Sequence, residues 1–207
     1  FQEFTMHRTL LTVAGVLLVA AAAYAAVAIE KKAPDFHLQG ADGKTYRLAD
    51  YAGKTVVLEW VNFGCPFVRK HYDSKNMQTL QQTYTDSGVV WLSISSSAPG
   101  KQGHYESGDP LNAQLKKEGA VPTAYLVDAD GTVGRAFGAR TTPHMFVINP
   151  EGNIVYAGGI DDIRSANVAD VPKATNYVAA ALDALFAGDQ IAQSSSAPYG
   201  CSVKYAD

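Results

Sequence analysis

The sequence has little cysteine: 207 residues hold two, Cys65 and Cys201. That excludes a small scaffold built on many disulfides, and two cysteines alone do not make a zinc site. A CxxC pair is also missing, because the position three residues after Cys65 is Val68. No strongly basic cluster occurs and the net charge is −3, which argues against nucleic acid as a partner. His37, His71, His104 and His144 have no metal-ligand spacing with one another or with a cysteine, so no metal and no cofactor is expected. "DADGT" at 128–132 opens like a calcium loop, but its twelfth position is Ala139 rather than glutamate. A turn with a helix cap is expected there. No internal repeat and no second domain is evident.

Hydrophobic residues make up 47% of the chain, enough for one domain with a core. Residues 1–5, "FQEFT", precede Met6 and read as sequence added by an expression vector. From Met6 a basic start (His7, Arg8) leads into an apolar run at 10–22, then into Ala-x-Ala patterns at 23–25 and 26–28. This is the pattern of a secretory signal over residues 6–28. An uncleaved anchor is the alternative, since residues 10–29 are about long enough to span a bilayer. The expected location is exported, periplasmic or otherwise extracytoplasmic, with membrane contact only if the segment is retained. Residues 29–188 form the expected domain and 189–207 a tail that carries Cys201.

Two short strands are expected around "GADGK", followed by a helical turn. Residues 55–62, "TVVLEWVN", form a near-continuous apolar, β-branched run, as in a strand buried on both faces. The loop "FGCP" follows, then a helix from 66 to about 84 with Pro66 in its first turn, where a missing N–H costs nothing. Residues 88–95 read as a second buried strand, so the core is a parallel strand–helix–strand unit. A polar, Gly-rich loop is expected at 96–110, with Asp109 as helix cap and Gly119 closing that helix. A strand near 123–127, a short helix after it and a hairpin of strands at 145–148 and 153–157 follow. A last helix runs from "VPKATN" to Gly188. The order predicts an α/β domain: a mixed sheet with helices on both faces. Trp60 and Trp91 fall on strands and belong to the core.

Cys65 sits where a buried strand ends and a helix begins. Unpaired helix N–H groups favour an anion there, and the thiolate is the reactive form of cysteine. Arg69, Lys70 and His71 in the next turn add positive potential. A residue beyond the C-terminal edge of such a strand is expected at the mouth of a crevice. Free cysteines are also simply buried in many cores. The chain from Gly188 to Cys201 could extend about 45 Å, so Cys201 can reach Cys65. It would serve there as a redox partner or as half of a permanent staple. Tyr199 is a candidate anchor for the tail.

Cys65-Pro66 after a buried strand, and Thr142-Pro143 before "HMFVINPEGNIVYAGG", resemble the thioredoxin superfamily. "APDFHLQGADGKTYRLADYAGKTVVLEWVNFGCPFV" is similar to the opening of its peroxiredoxin-like, AhpC/TSA-type redoxins. "YAGGIDD", "NYVAAALDALFAG" and "PYGCSVKY" look like one branch of that group. The resemblance implies a thioredoxin-like fold with Pro143 as a cis-proline facing Cys65. It implies an exported, thiol-dependent oxidoreductase in which Cys65 attacks a peroxide or a protein or small-molecule disulfide. Cys201 would resolve the product and an external thiol reductant would reset the pair. Peroxiredoxins carry Pro-x-x-x-Thr-x-x-Cys, and here Leu58 and Asn62 occupy the proline and threonine positions. Asn62 would then be the polar neighbour of the thiolate, with Pro66, Thr142, Pro143 and Arg140 as supporting residues; His144, next to Pro143, is expected to line the Cys65 crevice as an acid/base or polar group. The alternative is a non-catalytic binding module closed by a structural Cys65–Cys201 disulfide.

Overall fold

The computed structural model describes residues 28–207. Residues 1–5, expected to be vector sequence, and all but the last residue of the leader expected at 6–28 lie outside them. Among the described residues, no helix is long and apolar enough to cross a membrane.

The apolar run after Thr55 forms β3 (Val56–Trp60), buried along its whole length. It sits at the centre of the sheet. On one side it pairs in parallel with β4 (Val90–Ser95), on the other antiparallel with β7 (His144–Ile148). With β1 (His37–Gly40), β2 (Thr45–Arg47), β5 (Ala124–Val127) and β8 (Ile154–Gly158), the seven strands run in the order β2-β1-β5-β4-β3-β7-β8. A separate two-stranded ribbon joins β6 (Thr141–Thr142) to β9 (Cys201–Ser202).

Alternation along β3 divides the core. Val57 and Val61 face one layer with Val68, Tyr72, Met77, Trp91 and Leu182. Leu58 and Trp60 face the other with Ile94, Phe137, Phe146 and Val203. The first layer is roofed by α1 (Pro66–Asp73), α2 (Asn76–Asp86), α3 (Asp109–Glu118) and α5 (Tyr177–Ala187). The second is covered by α4 (Thr132–Ala136), the 3-10 turn Leu48–Tyr51 and the C-terminal segment. Helices thus flank both faces of a mixed sheet, as expected. Trp60 and Trp91 are fully buried, each contributing about 1.5–3 kcal/mol by leaving water.

Two expected helices are interrupted. The helix from 66 to about 84 breaks at Ser74 and Lys75. There Ser74 Oγ donates to the His71 carbonyl, accepts from the Asn76 N–H, and Lys75 takes a left-handed conformation at φ 63°. A side chain that bonds its own backbone competes with the helical ladder. The last helix starts later than expected. Residues Val168–Lys173 form a 3-10 turn, and Asn176 caps a new start by accepting from the Ala179 N–H. Asp109 is the first residue of its helix rather than its cap, which is Gly108. At "DADGT", Asp128 accepts from the N–H groups of Val133 and Gly134 and from the Ser96 hydroxyl, so it caps α4.

The tail is a docked strap. Ser196 N–H donates to the Ala157 carbonyl, and the Ala157 N–H donates to Ser194. Farther on, Val203 N–H donates to Arg140, Ala98 N–H donates to Lys204, and the Tyr205 hydroxyl donates to the Ala139 carbonyl. The strap therefore runs from the edge strand β8 across the end of β3.

Candidate functional site

Cys65 is the residue before α1, and Pro66 is the first residue of that helix. Its carbonyl accepts from the N–H groups of Val68 and Arg69, which fixes the helix start. The side chain is fully buried, not at an open crevice mouth as expected. The strap accounts for the difference. β9 pairs Cys201 with Thr142 and Ser202 with Thr141, which brings the second cysteine onto the first. The Cys201 N–H donates to Cys65 Sγ at 3.4 Å, and the Cys65 thiol donates to the Thr142 carbonyl at 3.1 Å. The Thr142-Pro143 peptide bond is cis, as the resemblance implied. Both cysteines are free.

The two thiols differ in acidity. Burial pushes Cys65 up, but hydrogen bonds from the Cys201 thiol and N–H and from the Val68 N–H outweigh it, leaving Cys65 below the ordinary thiol value. Burial and the adjacent Cys65 push Cys201 up to about 11. The two shifts run in opposite directions because the donors gather on the Cys65 sulfur, which favours an anion there over one on Cys201.

The other expected site residues are placed less uniformly. Asn62 is buried three residues before Cys65, but its amide donates to the carbonyl and side-chain oxygens of Gln102, both at 3.3 Å. Its Oδ1 accepts from the Gly64 N–H. Asn62 therefore ties down the loop at 97–104, and Gly103 fits there because it has no Cβ, which would lie 2.5 Å from the Asn62 side chain. Arg140 is exposed, and its main chain is what the fold uses: the N–H donates to His144 Nδ1 and the carbonyl accepts from Val203. His144 is register partner to Trp60, on the sheet face opposite the layer that contains Cys65. Its ring packs on Phe146 at 4.5 Å and lines a cavity of about 270 Å³ with Arg140, Ser196 and Pro198. The expectation that His144 lines the Cys65 crevice is corrected by strand alternation: its neighbour Pro143 is at the ribbon, and its own side chain points the other way.

The cations expected to support the thiolate are engaged elsewhere. Arg69 pairs with Asp73 and Glu118. Lys70 is fully buried and pairs with Asp161 at 2.9 Å. Burial pushes His71 down to about 4, against the pull of Asp161, so it is neutral near pH 7. Cys65 is stabilised by sulfur and main-chain donors rather than by charge.

Two features went unread in the sequence. Glu59 is a fully buried carboxylate beneath α1 and α2. It accepts from Tyr72 OH (3.0 Å), Gln81 Nε2 (3.0 Å), Trp91 Nε1 (2.9 Å) and Ser93 Oγ (2.8 Å). Burial pushes its carboxyl above the usual range and the four donors pull it back. A lone acid inside "VVLEWV" was the available signal. The second feature is the cluster of Lys70, His71, Asp161 and Tyr199; Tyr199 was expected to anchor by packing, and it does so through buried hydrogen bonds as well.

Comparison with known proteins adds a family. The model of the AhpC/TSA family matches residues 29–157. The thiol-disulfide oxidoreductase ResA of Geobacillus thermodenitrificans (strain NG80-2) is 28% identical over 130 residues, 62% of this chain and 68% of that protein. The selenocysteine-containing peroxiredoxin PrxU of Peptoclostridium acidaminophilum is 26% identical over 137 residues, 62% of this chain and 66% of that protein. A crystal structure of an uncharacterized conserved protein from Geobacillus kaustophilus superposes with a TM-score of 0.75 at 28% identity, covering 88% of this chain and 94% of that one.

Proposed function

The chain belongs to the AhpC/TSA family of thioredoxin-like redoxins, and from that premise we propose that it is a thiol-dependent oxidoreductase in which Cys65 attacks and Cys201 resolves. The observation that carries this reading is the meeting of the two cysteines across β6 and β9, with the more acidic sulfur at the helix start. A hydroperoxide would lose its distal oxygen to the Cys65 thiolate as the O–O bond breaks and an alcohol leaves. Cys201 then attacks the Cys65 sulfur, water leaves, and an S–S bond forms. A disulfide substrate would instead give a mixed disulfide and one thiolate, and Cys201 would release the second. In both cases two cysteines are oxidised, and an external thiol reductant returns two electrons. Pro66, Thr142 and Pro143 support the site by fixing the helix start and the ribbon. Asn62 acts by holding the loop at 97–104, and Arg140 by holding the strap. The N-terminal apolar run supports export of the 29–188 domain with its 189–207 strap, and fractionation of cells expressing the chain with and without residues 6–28 tests that.

The reduced protein should lose two hydrogens on treatment with one equivalent of hydrogen peroxide or of a small disulfide, and regain them with a dithiol. Cys65→Ser should abolish the change. Cys201→Ser should trap a sulfenic acid or a mixed disulfide on Cys65. Wild-type turnover in Cys201→Ser removes the resolving role. Full burial of Cys65 is equally what a static staple would give; a Cys65–Cys201 bond that mild reductant leaves intact selects that binding-module reading instead.

A further inference from the structure

An extended polypeptide entering beside Cys65 would need a free backbone edge to pair with. β6 is such an edge, and Cys201–Ser202 already occupies it. The fit is close. Gly200 has φ +133°, and a Cβ on it would fall 2.1 Å from the Thr142 carbonyl oxygen. The opposite bank is closed by Gln102, which accepts from Asn62 and donates to the Gly64 carbonyl.

The strap is held by a buried polar cluster immediately before Gly200. Tyr199 OH donates to Asp161 Oδ1 at 2.5 Å. Its oxygen accepts from Lys70 Nζ at 3.4 Å. His71 Nδ1 faces the Asn76 amide nitrogen at 2.9 Å and so accepts, which leaves the His71 Nε2 proton for the Tyr199 oxygen at 3.3 Å. Lys70 spends its other two protons on Asp161 Oδ2 and the Ile163 carbonyl. All three ammonium protons and both ring nitrogens therefore have partners. The Tyr199 ring also packs edge-on against Phe67 and under Lys70. Lys70 and His71 lie on α1, the helix that Cys65 immediately precedes, so the anchor and the thiol share one rigid frame. Lifting the strap means separating a buried ion pair from its neutral partner, which is costly.

We propose that residues 199–202 are a built-in occupant of the strand edge beside Cys65. The Lys70–His71–Asp161–Tyr199 cluster latches them there. The latch makes the site selective for low-molecular-weight disulfides over disulfides carried on polypeptides. Tyr199 is thus a positioning and specificity residue, not a catalytic one. The inference rests on the reading of Cys65 as the attacking thiol. The Cys65 thiolate attacks one sulfur of R–S–S–R and expels R–S⁻. Cys201 attacks the Cys65 sulfur of the mixed disulfide and expels the second R–S⁻. Two protein thiols are oxidised and one substrate disulfide is reduced.

The test uses the reduced full-length chain with oxidised glutathione and with insulin, each rate normalised to that disulfide's reaction with a free thiol. Wild type should prefer oxidised glutathione by about 100-fold, near the low end of what separating a buried charged pair costs at tenfold per 1.4 kcal/mol. Tyr199→Phe keeps the ring on Phe67 and removes the hydroxyl, and should cut the preference about tenfold by raising the insulin rate. Tyr199→Ala should cut it further. Urea midpoints check that both variants are folded, and Tyr199→Phe carries the test if Tyr199→Ala is not. No wild-type preference, or a Tyr199→Phe effect equal on both substrates, overturns the latch while leaving Cys65 as the nucleophile. A Cys65→Ser protein as reactive as wild type overturns the nucleophile and the latch together.

Discussion

His144 is buried, and its pKa is pushed down to about 3, first by burial and then by the Arg140 charge. The unfolded chain binds a proton on this ring near 6.5, and the folded chain refuses it until about 3. Between those values the unfolded state holds more protons, so the ring's contribution to stability is complete above 6.5 and is lost as pH falls. From pH 7 to 5 that loss is about 2 kcal/mol. His71, pushed down to about 4, acts in the same direction. Urea unfolding at both pH values should show a pH-dependent loss that His144→Gln reduces by about 2 kcal/mol; an unchanged loss contradicts the assignment. At this scale the sequence was readable by residue type and less so by engagement. Cys65 at a strand end and Cys201 in a reachable tail were visible. That Asn62 would turn its amide to Gln102, and that Lys70 would be buried against Asp161, depended on partners 40 and 91 residues away.

Short local patterns located most elements, because β-branched runs and helix caps act within a few residues. They did not locate the break between α1 and α2. The apolar spacing continues through Ser74 and Lys75, and only the Ser74 hydroxyl's bonds to its own backbone stop the ladder. They did not locate β9 either, since two residues carry no periodicity. The ribbon depends on Gly200 instead. Gly200→Ala places a methyl against the Thr142 carbonyl at a φ that L-residues rarely adopt. Backbone cannot yield as a flexible side chain does, so the ribbon should open at a cost of about 2 kcal/mol or more. Urea denaturation measures the cost, and hydrogen exchange at the Cys201 and Val203 amides locates it. Unchanged protection at both would show that the strap tolerates the methyl.

The whole molecule is tied together beneath the site by Glu59. One carboxylate on β3 joins Tyr72 of α1, Gln81 of α2, and Trp91 and Ser93 of β4. Gln81 in turn accepts from the Val121 N–H, extending the tie to the segment before β5. Glu59→Ala leaves four buried donors without their acceptor, so the loss should be on the order of 3–5 kcal/mol in global unfolding free energy. A change below about 1 kcal/mol would mean that the donors find other partners. The mixed sheet with helices on both faces was legible because strand order follows from the parallel unit and the hairpin. The crossing of the sheet's end by the C-terminal segment was not, because it is set by contacts such as Cys201 to Cys65, 136 residues apart.

That separation gives the molecule an order of events in its making. A chain produced from its N-terminus presents the helix start at Cys65 long before Gly200 and Cys201 exist to cover it. Contacts this distant in sequence also close late in folding. The nascent protein therefore passes through a stage in which Cys65 is both unguarded and without the Cys201 donors that lower its pKa, and it acquires its own cover last.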